Sequence, residues 1–207
     1  MKWLDRLEEI FISCLIAVAT LVIFTAVIHR YLSGLHLGAF QDVLLSIHLS
    51  WAQELCIILF VWMAKFGAAY GVRQGIHVGV DVLVNRLSPA NRRIMVMVAL
   101  SAGVLFTGLV SYLGANLVWE NGMAYTTLTH LGMNTGTHFE GPTTPDLEWP
   151  TWVVYLAVPI GSALMCFRFL QVLVNFWRTG DLPHHDHAHV DGLEDEIEHY
   201  PVMEQKP

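Results

Sequence analysis

The stretch IFISCLIAVATLVIFTAVI, residues 10–28, contains no charged side chain. A helix of about 20 apolar residues is long enough to cross the hydrocarbon core of a bilayer. Lys2 and Arg6 precede the stretch, as in a secretory signal peptide. However, Glu8 and Glu9 lie just before it, and no small-x-small cleavage site follows it. We therefore expect a retained membrane span rather than a cleaved leader.

Three further segments have the same apolar character. The predicted spans cover residues 10–29, 51–71, 93–118 and 152–174. Hydrophobic residues make up 54% of the chain and charged residues only 14%, whereas about a quarter of a soluble domain is charged. The sequence therefore predicts an all-α membrane protein. Residues 1–178 form its single four-span domain, with amphipathic surface helices in the connections.

The net charge of −7 arises in the C-terminal tail. Residues 181–207 contain eight acids and one lysine, so the remainder of the chain is neutral overall. It has no basic field suited to nucleic acid. The tail also contains candidate ligands for a transition metal: His184, His185, His187 and His189. Because their spacing is loose and acids are interleaved, we expect residues 179–207 to be a disordered, solvated tail.

Lysine and arginine are distributed unevenly between the two sides of the membrane. Residues 31–50 and 119–151 contain neither. The opposite side carries Lys2, Arg6, Arg73, Arg86, Arg92, Arg93 and Arg178. Since positively charged connections remain in the cytoplasm, both termini are predicted to be cytoplasmic.

The connection after the first span predicts a helix lying in the membrane surface. At helical spacing, its apolar residues form one stripe, and Gln41, Asp42, Ser46 and His48 face away from it. The stripe comprises Phe40, Val43, Leu44, Ile47 and Trp51. The outer connection 119–151 is rich in Gly, Thr and Pro, which predicts a loop.

A second surface helix is predicted between spans two and three. Arg73, His77 and Asp81 recur every four residues, which places them on one wet face of a helix. Apolar residues in 76–82 also alternate as in a strand, but open strand edges are unfavourable at a membrane. The three polar residues are separated by ~6 Å of helical rise per step, so they do not converge on one reacting atom.

Charged residues inside the spans are costly and usually have a partner. Lys65 and Arg168 can either snorkel to the cytoplasmic phosphates or face a partner protein or polar cavity. Glu54 lies one turn into the second span, where we expect it to pair with a polar group of this chain or of a partner, the alternative being a simple interfacial position. Pro159 is expected to kink the fourth span.

The sequence lacks the common motifs of nucleophilic, phosphate-binding and zinc-dependent enzymes. It has no Ser/His/Asp or Cys/His nucleophile arrangement, phosphate loop or zinc motif. His29 is the only histidine within a span, which does not suit a haem held between helices. We therefore expect neither an enzyme nor a cofactor site. The spans also lack carboxylates near the midplane, so the chain is poorly suited to translocate a charged solute alone, and we expect a subunit of a larger assembly. The alternatives are a membrane-anchor or cytochrome-like subunit of a respiratory enzyme and a small self-sufficient carrier.

Several short motifs occur in an order that matches a known family. They are VIHRY at 27–31, SWAQEL at 50–55, FVW at 60–62, GAA at 67–69 and YLAVPIG at 155–161, with Arg73, His77 and Asp81 between the last two. On four spans of this topology, the chain resembles the DctQ-type small membrane subunit of the tripartite ATP-independent periplasmic (TRAP) transporters. Gln53 departs from the pattern, because the family has an acid there.

The resemblance implies a scaffold in the bacterial inner membrane. Its implied partners are a large permease subunit and a periplasmic substrate-binding protein. The complex would take up an organic acid, such as a C4-dicarboxylate or a keto acid, driven by an ion gradient. The residues implied as family motif or subunit interface are Arg30, Trp51, Glu54, Lys65, Arg73, His77, Asp81, Pro159 and Arg168.

Overall fold

Residues 2–35, 38–74 and 88–180 are the part of the chain that the structure, a computed structural model, describes. They form helices and connecting segments, together with one isolated antiparallel bridge between Thr143 and Pro150. The second predicted surface helix, from residue 75 onward, and the tail, from residue 181 onward, lie outside these residues.

The described residues contain seven α-helices. These are α1 (Lys2–Ser33), α2 (Ala39–Ser46), α3 (Ser50–Gln74), α4 (Pro89–Val118), α5 (Ala124–His130), α6 (Thr151–Tyr155) and α7 (Ala157–Thr179). Segments long and apolar enough to cross a membrane are Arg6–Ser33, Ser50–Gln74, Asn91–His130 and Thr151–Thr179. The predicted all-α fold with four spans is therefore confirmed.

The long helices pack as an open layer. Helix α7 packs along both α3 and α4, and α3 also packs along α1. The backbones of α1 and α4, at the two sides of this central pair, do not pack along each other. The layer therefore presents broad apolar faces, and each span buries only a minority of its residues.

Small residues allow α7 to approach its neighbours closely. A Cβ atom added to Gly161 would lie 2.5 Å from Cβ of Lys65 on α3, and one added to Gly103 of α4 would lie 2.9 Å from the Phe169 ring. In a membrane, where lipid tails are as apolar as the side chains, close packing of this kind drives helix association. The main buried cluster lies beside these contacts and comprises Val72, Val96, Leu100, Phe169, Val172 and Phe176.

The fourth span is interrupted at Leu156, between α6 and α7. Pro159 has no N–H to donate to the carbonyl oxygen of Tyr155, so the helical ladder lacks a hydrogen bond at this place. A kink at Pro159 stays a prediction, because Leu156 keeps helical dihedrals. The carbonyl oxygen of Pro159 accepts a hydrogen bond from the Ser111 hydroxyl on α4 at 3.0 Å, which attaches this part of α7 to its neighbour.

The prediction of a loop over residues 119–151 is wrong for its first part. The turn Trp119–Met123 and helix α5 continue the third span to His130. Glycine at position 122 permits the bend, because its φ of 115° is unfavourable for other residues. Threonines 126, 127 and 129 each donate a side-chain hydrogen bond to the carbonyl four residues earlier, so these polar residues fit a helix.

The first surface helix is present but shorter than predicted. Helix α2 ends at Ser46, and Ile47 has extended backbone dihedrals. Leu44 is buried, whereas Phe40 and Val43 are exposed. Trp51 belongs to α3 rather than to the apolar stripe of the surface helix.

Replacement of Gly161 by alanine tests the close contact between α3 and α7. The added methyl group would overlap Cβ of Lys65, so we expect the free energy of unfolding to fall by about 1–3 kcal/mol. Gly108→Ala is the matched control, because its Cβ would lie at an ordinary 3.5 Å from Sγ of Cys166. Equal thermal stability of the two purified variants would contradict this packing.

Candidate functional site

Arg168 of α7 is completely buried, with 0% of its surface exposed. Its Nε and Nη2 groups donate hydrogen bonds to Oε1 of Glu8 at 3.1 and 2.7 Å. Its Nη1 group donates to Oε1 of Gln171 at 2.9 Å. Glu8, on α1, is itself only 4% exposed. The two charges therefore form a buried, hydrogen-bonded ion pair between the first and the last span.

This arrangement answers the question that the sequence left open for Arg168. The side chain does not snorkel to the surface, and its partner Glu8 lies in the same chain. Taking either charge alone out of water costs several kcal/mol, and only a close, hydrogen-bonded partner offsets that cost. Glu8 precedes the apolar run that predicted the first span, but α1 already begins at Lys2. Because Glu8 is already part of this helix, its carboxylate lies next to Arg168.

The next residue, Glu9, contacts a different helix. Its Oε1 accepts a hydrogen bond from the Tyr70 hydroxyl at 3.3 Å and lies 3.9 Å from Nη1 of Arg73, both on α3. The side chains of Arg73 and Glu9 are 30% and 51% exposed, so solvent screens this pair. Consecutive helical residues point about 100° apart. The two acids of α1 therefore reach both helices of the central pair.

Glu54 forms a second polar cluster at the other end of the layer. Its Oε2 accepts hydrogen bonds from the backbone N–H groups of Asp146 at 2.7 Å and Leu147 at 3.1 Å. The Thr144 hydroxyl lies beside the same carboxylate. Glu54 is half-buried in the first turns of α3. Its partner is therefore in this chain, which was the first of the predicted possibilities.

The turn that Glu54 binds is closed by its own hydrogen bonds. The Thr144 N–H donates to the carbonyl oxygen of Trp149 at 2.8 Å, and the Trp149 N–H donates to the Thr144 hydroxyl at 3.1 Å. The residues before this turn also pack tightly against the bend after α4. A Cβ atom added to Gly122 would lie only 2.8 Å from the backbone nitrogen of Gly141, so the two backbones are in direct contact. Residues 141–151 thus form a folded cap on α3 and on the turn Trp119–Met123 that follows α4.

The other predicted site residues within the described part of the chain make fewer polar contacts. Arg30 is exposed beside a cavity near the end of α1, and Trp51 is partly exposed at the start of α3. Lys65 is half-buried, and its ammonium group has no ion pair or hydrogen bond within the described residues.

The histidines give no metal site in the described part of the chain. No group of three or more His, Cys, Asp or Glu side chains there could hold an ion. The Nε2–H of His29 donates to the carbonyl oxygen of Leu44 at 2.9 Å. The remaining predicted residues lie outside the described residues: His77, Asp81, His184, His185, His187 and His189.

Both clusters join separate parts of the chain. The first connects α1 to α3 and α7 through carboxylates paired with guanidinium groups, and the second connects α3 to the cap through a carboxylate bound to backbone N–H groups. The sequence did not predict that Glu8 pairs with Arg168 or that residues 141–151 form a cap. The paired residues are 160 positions apart, and the donors to Glu54 are backbone N–H groups, so no local sequence pattern indicates either contact.

Comparison with known proteins gives a consistent set of relatives. The model of the family "Tripartite ATP-independent periplasmic transporters, DctQ component" matches residues 19–179. The C4-dicarboxylate TRAP transporter small permease protein DctQ of Rhodobacter capsulatus is 51% identical over 96% of this chain and 88% of its own length. The protein of the same name from Vibrio cholerae is 33% identical over 83% of this chain and 71% of its own length.

A more distant relative differs in size. The isethionate TRAP transporter permease protein DctMQ of Oleidesulfovibrio alaskensis is 24% identical over 84% of this chain, but the match covers only 24% of that protein. A chain of this kind therefore also occurs as a part of a longer permease protein. No solved structure matches.

Removal of the Glu54 carboxylate tests how the cap is held. In Glu54→Ala we expect the amides of Asp146 and Leu147 to exchange hydrogen roughly tenfold faster, because both N–H groups lose their shared acceptor, Oε2 of Glu54. Glu120→Ala, which removes an exposed acid near the same cap, is the control and should leave the exchange unchanged. Hydrogen–deuterium exchange detected by mass spectrometry measures both. Unchanged protection in Glu54→Ala would refute the role of this carboxylate.

Proposed function

This chain belongs to the DctQ-component family of the TRAP transporters, and from that premise we propose that it is the scaffold on which a large permease subunit works. The family match and the four apolar helices make it a multi-pass protein of the bacterial inner membrane and a small subunit in substrate uptake. The scaffold role itself rests on one observation: the charged groups of its first, second and fourth spans hold its own helices and cap together.

The proposed partner is the large permease subunit. The open layer of helices leaves wide apolar faces, and α4 in particular exposes Leu105, Phe106, Leu109, Tyr112 and Leu113. Surfaces of this kind contact lipid or another membrane protein. The occurrence of a similar chain within the longer DctMQ permease protein supports the second possibility, since fusion keeps two cooperating parts together.

Lys65 is the proposed polar contact with that subunit. An ammonium group in the middle of a span is costly unless it is paired. Because the described residues supply no partner, a carboxylate or helix carboxyl end of the permease would satisfy it. We assign further residues to the surfaces that face the permease or the lipid headgroups: the exposed Arg30 and Trp51, the half-buried Arg73, and His77 and Asp81.

The proposed substrate is a C4-dicarboxylate, after the name of the Rhodobacter capsulatus relative. A periplasmic binding protein would deliver it, and an ion gradient would drive its uptake through the permease. We place both termini of this chain in the cytoplasm, in agreement with the arginines that flank the spans on that side. A catalytic role is not part of this proposal, and the family match to a transporter component does not favour a respiratory anchor.

Reconstitution tests the scaffold role. We expect liposomes that hold the permease together with this chain, supplied with binding protein and an ion gradient, to accumulate labelled C4-dicarboxylate. Liposomes that lack this chain should accumulate little. Uptake by this chain alone would instead identify a self-sufficient carrier, and a haem absorbance band in the purified chain would favour the respiratory alternative.

Co-purification of the permease with this chain tests the proposed contact of Lys65. Lys65→Met retains the length of the side chain but removes its charge, so we expect less permease to co-purify with it while the isolated variant stays as stable as the wild type. Arg92→Gln, which removes an exposed charge at the start of α4, is the control. Equal recovery of the permease with both variants would remove Lys65 from the interface.

A further inference from the structure

A cavity of about 450 Å³ lies where the end of α1, the segment after α2 and the start of α3 meet. Two polar contacts hold its edges: the His29 ring donates to the Leu44 carbonyl oxygen at 2.9 Å, and the Gln41 amide donates to the Ser33 carbonyl oxygen at 3.2 Å. The cavity is thus bounded by packed elements on three sides. Its volume falls in the ordinary range for small-molecule sites.

The rim of this cavity is polar and carries one positive charge. Arg30, Ser50 and Gln53 line it together with Ser33. The guanidinium of Arg30 is exposed and makes no ion pair or hydrogen bond with any described residue. A planar guanidinium with free donors is well suited to bind the oxygens of a phosphate in two parallel hydrogen bonds.

Most of the remaining lining of the cavity is apolar. Ile23 and Val27 of α1 line it on one side, and Leu45, Ile47 and Leu49 line it on the other. Ile23 lies ten residues before Ser33, which is about 15 Å along a helix axis. The cavity therefore extends from the charged end of the spans into their apolar part, and it offers one cation above a hydrocarbon surface.

We propose that this cavity binds one phospholipid of the surrounding bilayer, with its phosphate on Arg30 and the upper part of one acyl chain along Ile23 and Val27. The arrangement of charge over hydrocarbon matches the two halves of such a molecule. A small anion such as inorganic phosphate would use only the rim, and a peptide segment would have to satisfy its backbone polar groups against an apolar wall. A bound lipid would join α1 to α2 and α3 at this end of the layer.

Native mass spectrometry of the full-length chain tests the site with phosphatidylglycerol as the probe. We expect the wild type to retain one lipid after mild delipidation and re-addition, and Arg30→Gln to retain roughly tenfold less because it loses the charge-assisted hydrogen bonds. Gln53→Glu should also lower retention, since it places a negative charge on the same rim. Arg92→Gln, at the start of α4, is the control and should behave as the wild type.

A third variant of the cavity keeps the test independent of charge. Ala26 also lines the cavity, so Ala26→Leu should fill part of it and reduce lipid retention without any change in charge. This variant carries the test if the arginine variant is unstable. Equal lipid retention by Ala26→Leu and Arg30→Gln and by the wild type would overturn the proposal.

The ligand itself is distinguished by competition. Excess inorganic phosphate should leave the retained lipid in place, and complete displacement would show a simple anion site instead. If Arg30→Gln lost the permease but kept the lipid, the cavity would be a protein contact, and the lipid assignment would be wrong.

Discussion

A guanidinium that has no access to solvent needs a partner inside the protein, and in this chain that requirement joins the last span to the first. Arg168 is met by Glu8, which is almost as deeply buried. The pair is a weak source of net stability, because the cost of removing both charges from water offsets most of their attraction. Its effect is to exclude other arrangements: any packing that separates α1 from α7 leaves a buried charge without a partner. In an open layer, where the described part of α1 otherwise packs along α3 and the short α2, this constraint determines how α1 lies relative to α7.

A second carboxylate contact joins distant parts of the chain at the opposite end of the layer. There Glu54 satisfies backbone donors of the cap rather than a cation, and the cap in turn packs on the bend after α4. Each end of α3 is thus attached to an element distant in sequence, while glycines allow α7 to lie close to α3 and α4. The carboxylates of Glu8, Glu9 and Glu54 hold the chain together internally, and its wide apolar faces remain available to lipid and to other membrane subunits. These are the properties that the proposed scaffold role requires.

The sequence predicted the spans well because a bilayer demands about 20 apolar residues at a time. It also located Pro159 and the charged residues in the spans. It could not pair them: Glu8 and Arg168 are 160 positions apart, and Glu8 lies before the apolar run rather than in it. The partner of Glu54 is a pair of backbone N–H groups, which no side-chain pattern reveals. Residues 119–130 resemble a loop in composition, yet most of them are helical, and their threonine hydroxyls donate hydrogen bonds to backbone carbonyl oxygens four residues earlier. The surface helix with His77 and Asp81 stays a prediction.

A double-mutant cycle on the buried pair measures the central claim most directly. The four chains are the wild type, Glu8→Leu, Arg168→Leu and the double variant, each purified and unfolded reversibly in the same lipid or detergent. Each single variant leaves one buried charge unpaired, so it should lose about 3–5 kcal/mol of stability. The double variant should recover most of that loss, since two apolar side chains replace both charges. Losses that simply add, with a coupling energy near zero, would show that the Glu8–Arg168 pair does not fix the first span against the last.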